Sequence, residues 1–335
     1  MSEFAAGPAG RIERVRALMV ERGYDAIVVR DEANLRWLTG VKGVFDYTFE
    51  FPHAAFITVD QCLFHTDSRY LNSFEENTPA GSPWVYDMDE GTIPGWVAGK
   101  IAANKCRVCA VEDDMQINFY QGIQRGLEDR SVACMLPLMH DDIRKMRAIK
   151  DAEEIELMRH AQSITDAAFQ HMLGFIKPGM TEKQVRNELE NFMFANGADS
   201  LAFGSIVASG PNTANPHAVP SDRVIEKGDF VLMDYGDYRS DMTRTVVMGE
   251  PTQEQFDLYA LVRRTHEECV AAIHPGVEGN DIFKLSKKII GDAGYGDYYN
   301  HGLGHGVGID IHELPNFNRS KNTIEVGSVI TMEPG

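Results

Sequence analysis

The sequence predicts two domains: an α/β domain in the first half, and an α+β domain in the second. The second domain is expected to consist of two similar halves with a site between them. Three observations lead there. Short apolar, β-type runs alternate with helix-type segments in the first half, as at Ala26-Ile-Val-Val29 and Val108-Cys-Ala-Val111. Farther on, Lys177-Pro-Gly-Met-Thr-Glu-Lys-Gln-Val185 resembles His274-Pro-Gly-Val-Glu-Gly-Asn-Asp-Ile282. Finally, His301-Gly-Leu-Gly-His305-Gly-Val-Gly-Ile-Asp-Ile-His312-Glu313 sets three imidazoles and four glycines in thirteen residues.

Taken in order, Ile12, Val15, Leu18 and Met19 recur at helical spacing, and Gly23 stops that helix. Ala26–Val29 is a strand of buried type. Ala54–Val59, Cys62–His65 and Val108–Val111 are further strand candidates. Trp37 and Tyr47 are expected in or near loops, as core aromatics. The first domain is placed at 1–145 and the second at 146–335. Asp151-Ala-Glu-Glu154 has the form of a capping box, followed by an amphipathic helix through Ile155, Met158, Ala161, Ile164, Ala168 and Met172. Long helices over roughly 152–176 and 252–273 each precede a Pro-Gly turn, a shorter helix and a Gly-rich strand region.

A chain of 335 residues is long enough for two sizeable cores. Its net charge of −18 argues against an electrostatic nucleic-acid footprint or an anionic-membrane binder. Neither a secretory leader nor an apolar run of membrane-spanning length is seen, so a cytoplasmic location is expected. The five cysteines are scattered and give no disulfide framework. Cys106-Arg-Val-Cys109 has metal- or redox-type spacing but no second pair, and reads as part of a strand.

Imidazole is the commonest protein metal ligand and a ready acid or base near neutral pH. Glycines let the backbone lie close to a metal or substrate. Complementary carboxylates stand elsewhere. Phe230–Val247 reads as a hairpin with a turn at Asp237-Tyr238, which places Asp234 directly opposite Asp241. Two carboxylates that close repel unless a cation lies between them. Val329-Ile-Thr-Met-Glu333 is another apolar strand ending in a carboxylate, stopped by Pro334. Together these segments have the chemistry of a metal site, and with the family resemblance they also carry, they point to a metal-dependent hydrolase.

These three segments, with Ile206-Val-Ala-Ser-Gly-Pro-Asn and Asn215-Pro-His217-Ala, resemble the pita-bread metallopeptidases, in the prolidase and aminopeptidase P branch. The first half resembles the creatinase-type amino-terminal domain. The resemblance implies a pseudo-twofold pita-bread catalytic domain and a metal-dependent exopeptidase acting on Xaa-Pro bonds. It implies Asp234, Asp241, His305 and Glu333 as ligands of two manganese ions, with cobalt or zinc as alternatives. Glu333 is also the implied proton shuttle. His217, His301 and His312 would orient substrate and stabilise the tetrahedral intermediate. The expected substrate is a proline-containing dipeptide or short peptide, and the expected assembly a homodimer.

Two departures from the family pattern stand out. The two aspartates are four residues closer than usual, an even deletion that keeps both side chains on one face. The family's fifth ligand, a glutamate on one more strand past Glu-Pro-Gly, has no counterpart in the sequence through Gly335. The reading is therefore of an incomplete chain or a crippled dinuclear site. An impaired peptide-binding protein of this fold is one alternative function. A creatinase-like amidinohydrolase is another, opposed by the four carboxylate and imidazole ligands.

Overall fold

A computed structural model describes residues 7–42, 44–45, 51–88, 91–317 and 322–335. Tyr47 lies outside the described residues. Two compact units divide the chain, Met1–Met146 and Arg147–Gly335.

The first unit begins with α1 (Gly7–Arg22), whose buried face carries Ile12, Val15 and Met19. Next come β1 (Ala26–Val29), α2 (Glu32–Thr39), β2 (Ala54–Ile57), β3 (Cys62–His65), α3 (Leu71–Asn77) and β4 (Trp84–Tyr86). Then follow α4 (Ile93–Ala103), β5 (Cys109–Val111), α5 (Ile117–Asp129) and the short α6 (Asp142–Arg147), whose last residue belongs to the second unit. The strands form one mixed sheet in the order β4-β3-β2-β1-β5. β1 runs antiparallel to β2 and parallel to β5. Every residue of β1 and β2 is buried, which explains their unbroken apolar runs. Val28, Phe56 and Val111 of this sheet join Trp96, Ile101, Phe119 and Ile123 from α4 and α5 in one core. Trp37 is not in a loop: it lies within α2 and is fully buried. Cys106 and Cys109 are buried too, and burial pushes the Cys106 thiol up to about 11.

The second unit starts with α7 (Ala152–Phe175), which the Asp151/Glu154 capping box opens in both directions. α8 (Glu182–Ala195), β6 (Ile206–Ser209), β7 (Phe230–Tyr235) and β8 (Met242–Val247) complete its first half. The second half holds α9 (Gln253–Ala271), α10 (Gly279–Asp292), β9 (His305–Gly306) and β10 (Glu313–Asn316). Strands β6, β7 and β8 form an antiparallel sheet, and β9 pairs with β10. Beyond β10, the segment 329–333 lies extended against 303–307. Val307 N–H donates to the Val329 carbonyl, Thr331 N–H to that of His305 and Glu333 N–H to that of Leu303.

The repeat seen in sequence has a structural counterpart. Gly179 and Gly276 both adopt positive φ, 98° and 88°. Gly179 N–H donates to the Ile225 carbonyl at 2.9 Å, and Gly276 N–H to the Ile324 carbonyl at 2.8 Å. Each half has its own core. The first packs Ile164, Ala168, Val185 and Leu189 against Val207, Val231 and Met233. The second packs Cys269 and Ile282 with Leu303, Phe317 and Ile324.

Candidate metal centre

The hairpin β7–β8 supplies the first two carboxylates. Its register differs from the one expected: Tyr235 pairs with Met242, and Asp234 pairs with Thr243 rather than Asp241. The turn centres on Tyr238-Arg239, closed by Ser240 N–H donating to the Asp237 carbonyl at 2.7 Å. Arg239 carries the positive φ, 77°. Contacts outside the hairpin select this turn. Asp237 N–H donates to Thr165 Oγ1 of α7 at 3.2 Å, and Ser240 Oγ bonds Gln162 and Thr165 at 2.9 Å each. Ala202 N–H donates to the Gly236 carbonyl, and Tyr238 N–H to that of Ser200. Gly236 is required here, because a Cβ would collide with the Ser240 carbonyl. The pairing has moved by two residues, and an even shift leaves both aspartates on one face. They become diagonal neighbours, a relation with a Cα spacing of about 7–8 Å that leaves room for an ion.

Three donor atoms converge at this face. His305 Nε2 lies 3.4 Å from Asp241 Oδ2 and 3.2 Å from Glu333 Oε1. All three lie within 4.8 Å of one another. His305 Nδ1 lies 3.0 Å from the Gly306 carbonyl, and donation there keeps Nε2 turned toward the carboxylates, where it bonds Glu333 and, once deprotonated, would ligate a metal. Glu333 Oε1 accepts from Thr331 Oγ1 at 2.7 Å, and Asp234 Oδ1 from Thr243 Oγ1 at 2.9 Å.

The electrostatics match a cation site. Burial pushes the Asp234 carboxyl up to about 6, aided by the Glu333 charge and opposed by the Thr243 hydrogen bond. Asp241 is raised as well, by burial first and then by Asp234 and Glu333. For Glu333 burial acts in the same direction, but bonds from His305 and Thr331 outweigh it and hold the carboxylate low. A divalent cation between these groups offsets both the burial and the repulsion. Oxygen donors with one free imidazole nitrogen suit manganese or a zinc-type ion. The residues therefore fit a divalent metal.

The other predicted histidines surround this cluster. The His312 ring lies 4.3 Å from the His305 ring, edge-on, and burial lowers its pKa with help from the His305 charge. His217 is exposed on the loop after β6, close enough for its charge to act on Asp234 and His312. His301 packs edge-on against Tyr299 at 5.1 Å, and its charge acts on Glu333. The fold thus gathers Asp241, His305 and Glu333 tightly, with Asp234, His217, His301 and His312 around them.

Sequence reasoning missed the support beneath His312. Its neighbour Glu313 is buried, bonded to Lys150 Nζ at 2.8 Å and to Arg147 Nη2. Arg147 also binds Asp310 at 2.7 Å. Burial alone would raise Glu313; the two cations overcome it and hold the carboxylate below its ordinary range. No spacing rule links positions 163 and 166 residues apart.

Comparison with known proteins follows the same division. Residues 156–335 match the model of metallopeptidase family M24, and residues 11–149 that of the creatinase/prolidase N-terminal domain. An uncharacterised peptidase of Bacillus subtilis is 34% identical over 97% of this chain and 90% of its own length. An Xaa-Pro dipeptidase of Pyrococcus furiosus is 42% identical over 200 residues, 58% of each protein. The solved structure of an Xaa-Pro dipeptidase from Bacillus anthracis superimposes with a TM-score of 0.87 at 34% identity, covering 98% of this chain and 90% of that one.

Proposed function

The chain belongs to metallopeptidase family M24, and on that premise we propose that it is a metal-dependent exopeptidase hydrolysing Xaa-Pro bonds. The observation that carries this reading is the convergence of Asp241 Oδ2, His305 Nε2 and Glu333 Oε1. The proline preference draws on the relatives described as Xaa-Pro dipeptidases.

Asp234, Asp241, His305 and Glu333 would hold the metal, for which we propose manganese, as a pair where the family's further glutamate completes the donor set. Such a metal lowers the pKa of water and polarises a carbonyl oxygen. Glu333 takes up the proton of the attacking water and returns it to the leaving imide nitrogen. Thr331 Oγ1 fixes the Glu333 rotamer for that exchange. His312 and His217 donate hydrogen bonds to the developing oxyanion or the leaving nitrogen. His301 faces the proline side. The proposed assembly is a homodimer, and the proposed location the cytoplasm. Among the described residues no helix is long and apolar enough to cross a membrane.

Steady-state assays with manganese on Xaa-Pro dipeptides, longer Xaa-Pro peptides and matched Xaa-Ala controls test the proposal. Cleavage confined to Xaa-Pro bonds, and lost on chelation, is expected. Cleavage of neither proline substrate class, with manganese bound, would overturn it.

A further inference from the structure

Glu182 is wholly buried, yet it takes no part in the centre described above. It follows the cap residue Thr181 at the start of α8, where Thr181 and Gln184 already form the capping box. Its carboxylate is used elsewhere. Glu182 Oε1 accepts from Ser209 N–H at 2.7 Å, Ser209 Oγ at 2.9 Å and Asn212 Nδ2 at 3.0 Å. Glu182 Oε2 accepts from Ser221 N–H at 2.9 Å and Ser221 Oγ at 2.6 Å.

Ser209 ends β6 and Ser221 closes the loop that follows it. The chain therefore leaves and returns on a single carboxylate, one oxygen for each end. Between them lie Pro211, Asn215, Pro216 and His217, with Ala218 and Pro220 the buried positions of a stretch otherwise exposed or half-buried. Three prolines stiffen the loop by fixing φ. With so little apolar burial of its own, the loop takes its position from its base. Arg223 reinforces that base, donating to Ser209 Oγ at 2.6 Å and to Asp229 Oδ2 at 2.6 Å. The loop presents His217 to Asp234 and His312.

We propose that Glu182 is a positioning residue for the reaction: it clamps both ends of the 209–221 loop and so holds His217 over the metal centre. The inference rests on the catalytic role proposed above for His217. Glutamine at 182 would keep the shape but turn an amide NH2 toward donors at one end of the loop, leaving them unsatisfied.

The test is a double-mutant cycle on the manganese-loaded full chain with an Xaa-Pro dipeptide, comparing wild type, Glu182→Gln, His217→Ala and the double variant. Glu182→Gln alone is expected to lower kcat on the order of 10- to 100-fold, as for other residues that orient a metal site's side chains. Manganese affinity should not change. In the His217→Ala background the same substitution should cost less than about threefold, because the two changes break one interaction. Equal losses in both backgrounds, or lost manganese affinity, would overturn the proposal. Amide exchange gives a second readout that needs no substrate. Ser209 and Ser221 N–H should be protected in wild type and exchange faster in Glu182→Gln. Unchanged protection overturns the clamp even if no Xaa-Pro activity exists, so the two readings fail separately. Should Glu182→Gln not fold, Ser221→Ala removes one donor and must show the same non-additivity with His217→Ala.

Discussion

Asp234 and Glu333 occupy the same place in the two halves of the second unit. Each stands six residues after a turn glycine of positive φ, Gly228 at 93° and Gly327 at 97°. Each accepts a hydrogen bond from a threonine, Thr243 or Thr331. The repeat brings the two carboxylates toward each other across the pseudo-twofold, while Asp241 and His305 break the symmetry and complete the donor set.

Each threonine orients one of these carboxylates, Thr243 from the paired strand and Thr331 from two residues upstream. Thr243→Val and Thr331→Val are each expected to weaken manganese binding by roughly 10- to 100-fold. Calorimetric titration checks this; normal affinity in either variant would show that its carboxylate needs no orienting donor.

His217→Ala should lower kcat about 10²- to 10⁴-fold, the range for a lost acid–base or oxyanion partner, with metal content unchanged. Asp241→Ala and His305→Ala should lose metal and activity together. Metal analysis beside kinetics separates the two groups, and loss of metal from His217→Ala would make that residue a ligand.

Chelated protein holds Asp234, Asp241 and Glu333 together against burial and repulsion. Asp241→Asn should raise the melting temperature of chelated protein and abolish further stabilisation by manganese. In wild type, manganese at 100 times its Kd should add about 2.7 kcal/mol. A variant that melts lower than wild type in chelator would refute the repulsion argument.

Lys150→Met or Arg147→Met leaves Glu313 short of a buried partner and should cost about 3–5 kcal/mol. The depressed Glu313 pKa fixes the pH dependence. The ion pair's contribution is fully present above the ordinary glutamate value of 4.5 and is lost as pH falls through the lower folded value. Urea titrations between pH 3 and 7 would show that acid-side slope reduced in Glu313→Gln; an unchanged slope assigns it to other groups.

His53 carries the opposite chemistry. It is fully buried among Phe45, Phe51, Phe64 and Tyr70, with neither ring nitrogen hydrogen-bonded among the described residues. Burial lowers its pKa from 6.5 to about 4. The folded state thus binds fewer protons than the unfolded chain in that window, and stability falls as pH drops from 6.5 toward 4, on the order of 3 kcal/mol in all. His53→Phe should flatten that part of the profile in the same urea titrations.

Several features were legible in the sequence because they are local. Helical spacing and stop signals marked α1, α7 and α9, and the Pro-Gly repeat marked two halves. Motif chemistry and family resemblance together singled out seven residues that the fold brings to one place. The hairpin register was not legible. Its turn is chosen by Thr165, Gln162 and Ser200, which lie outside the hairpin, so counting within it put Asp234 opposite Asp241 instead of diagonal to it. Side-chain face survived the error because a strand repeats every two residues and the shift was even. Trp37 is the core residue expected, but it stands in a helix and not in or near a loop, because α2 at eight residues is too short to show a helical period in sequence. Glu182, Arg147 and Lys150 read as ordinary charged residues in or near helices. Only the tertiary structure sets Glu182 beneath a loop 27 to 39 residues away and joins Lys150 to Glu313 across 163. Periodicity and motif chemistry act over a few residues along the chain. A buried carboxylate takes its role from whichever donors the folded chain carries to it, and those contacts are made through space.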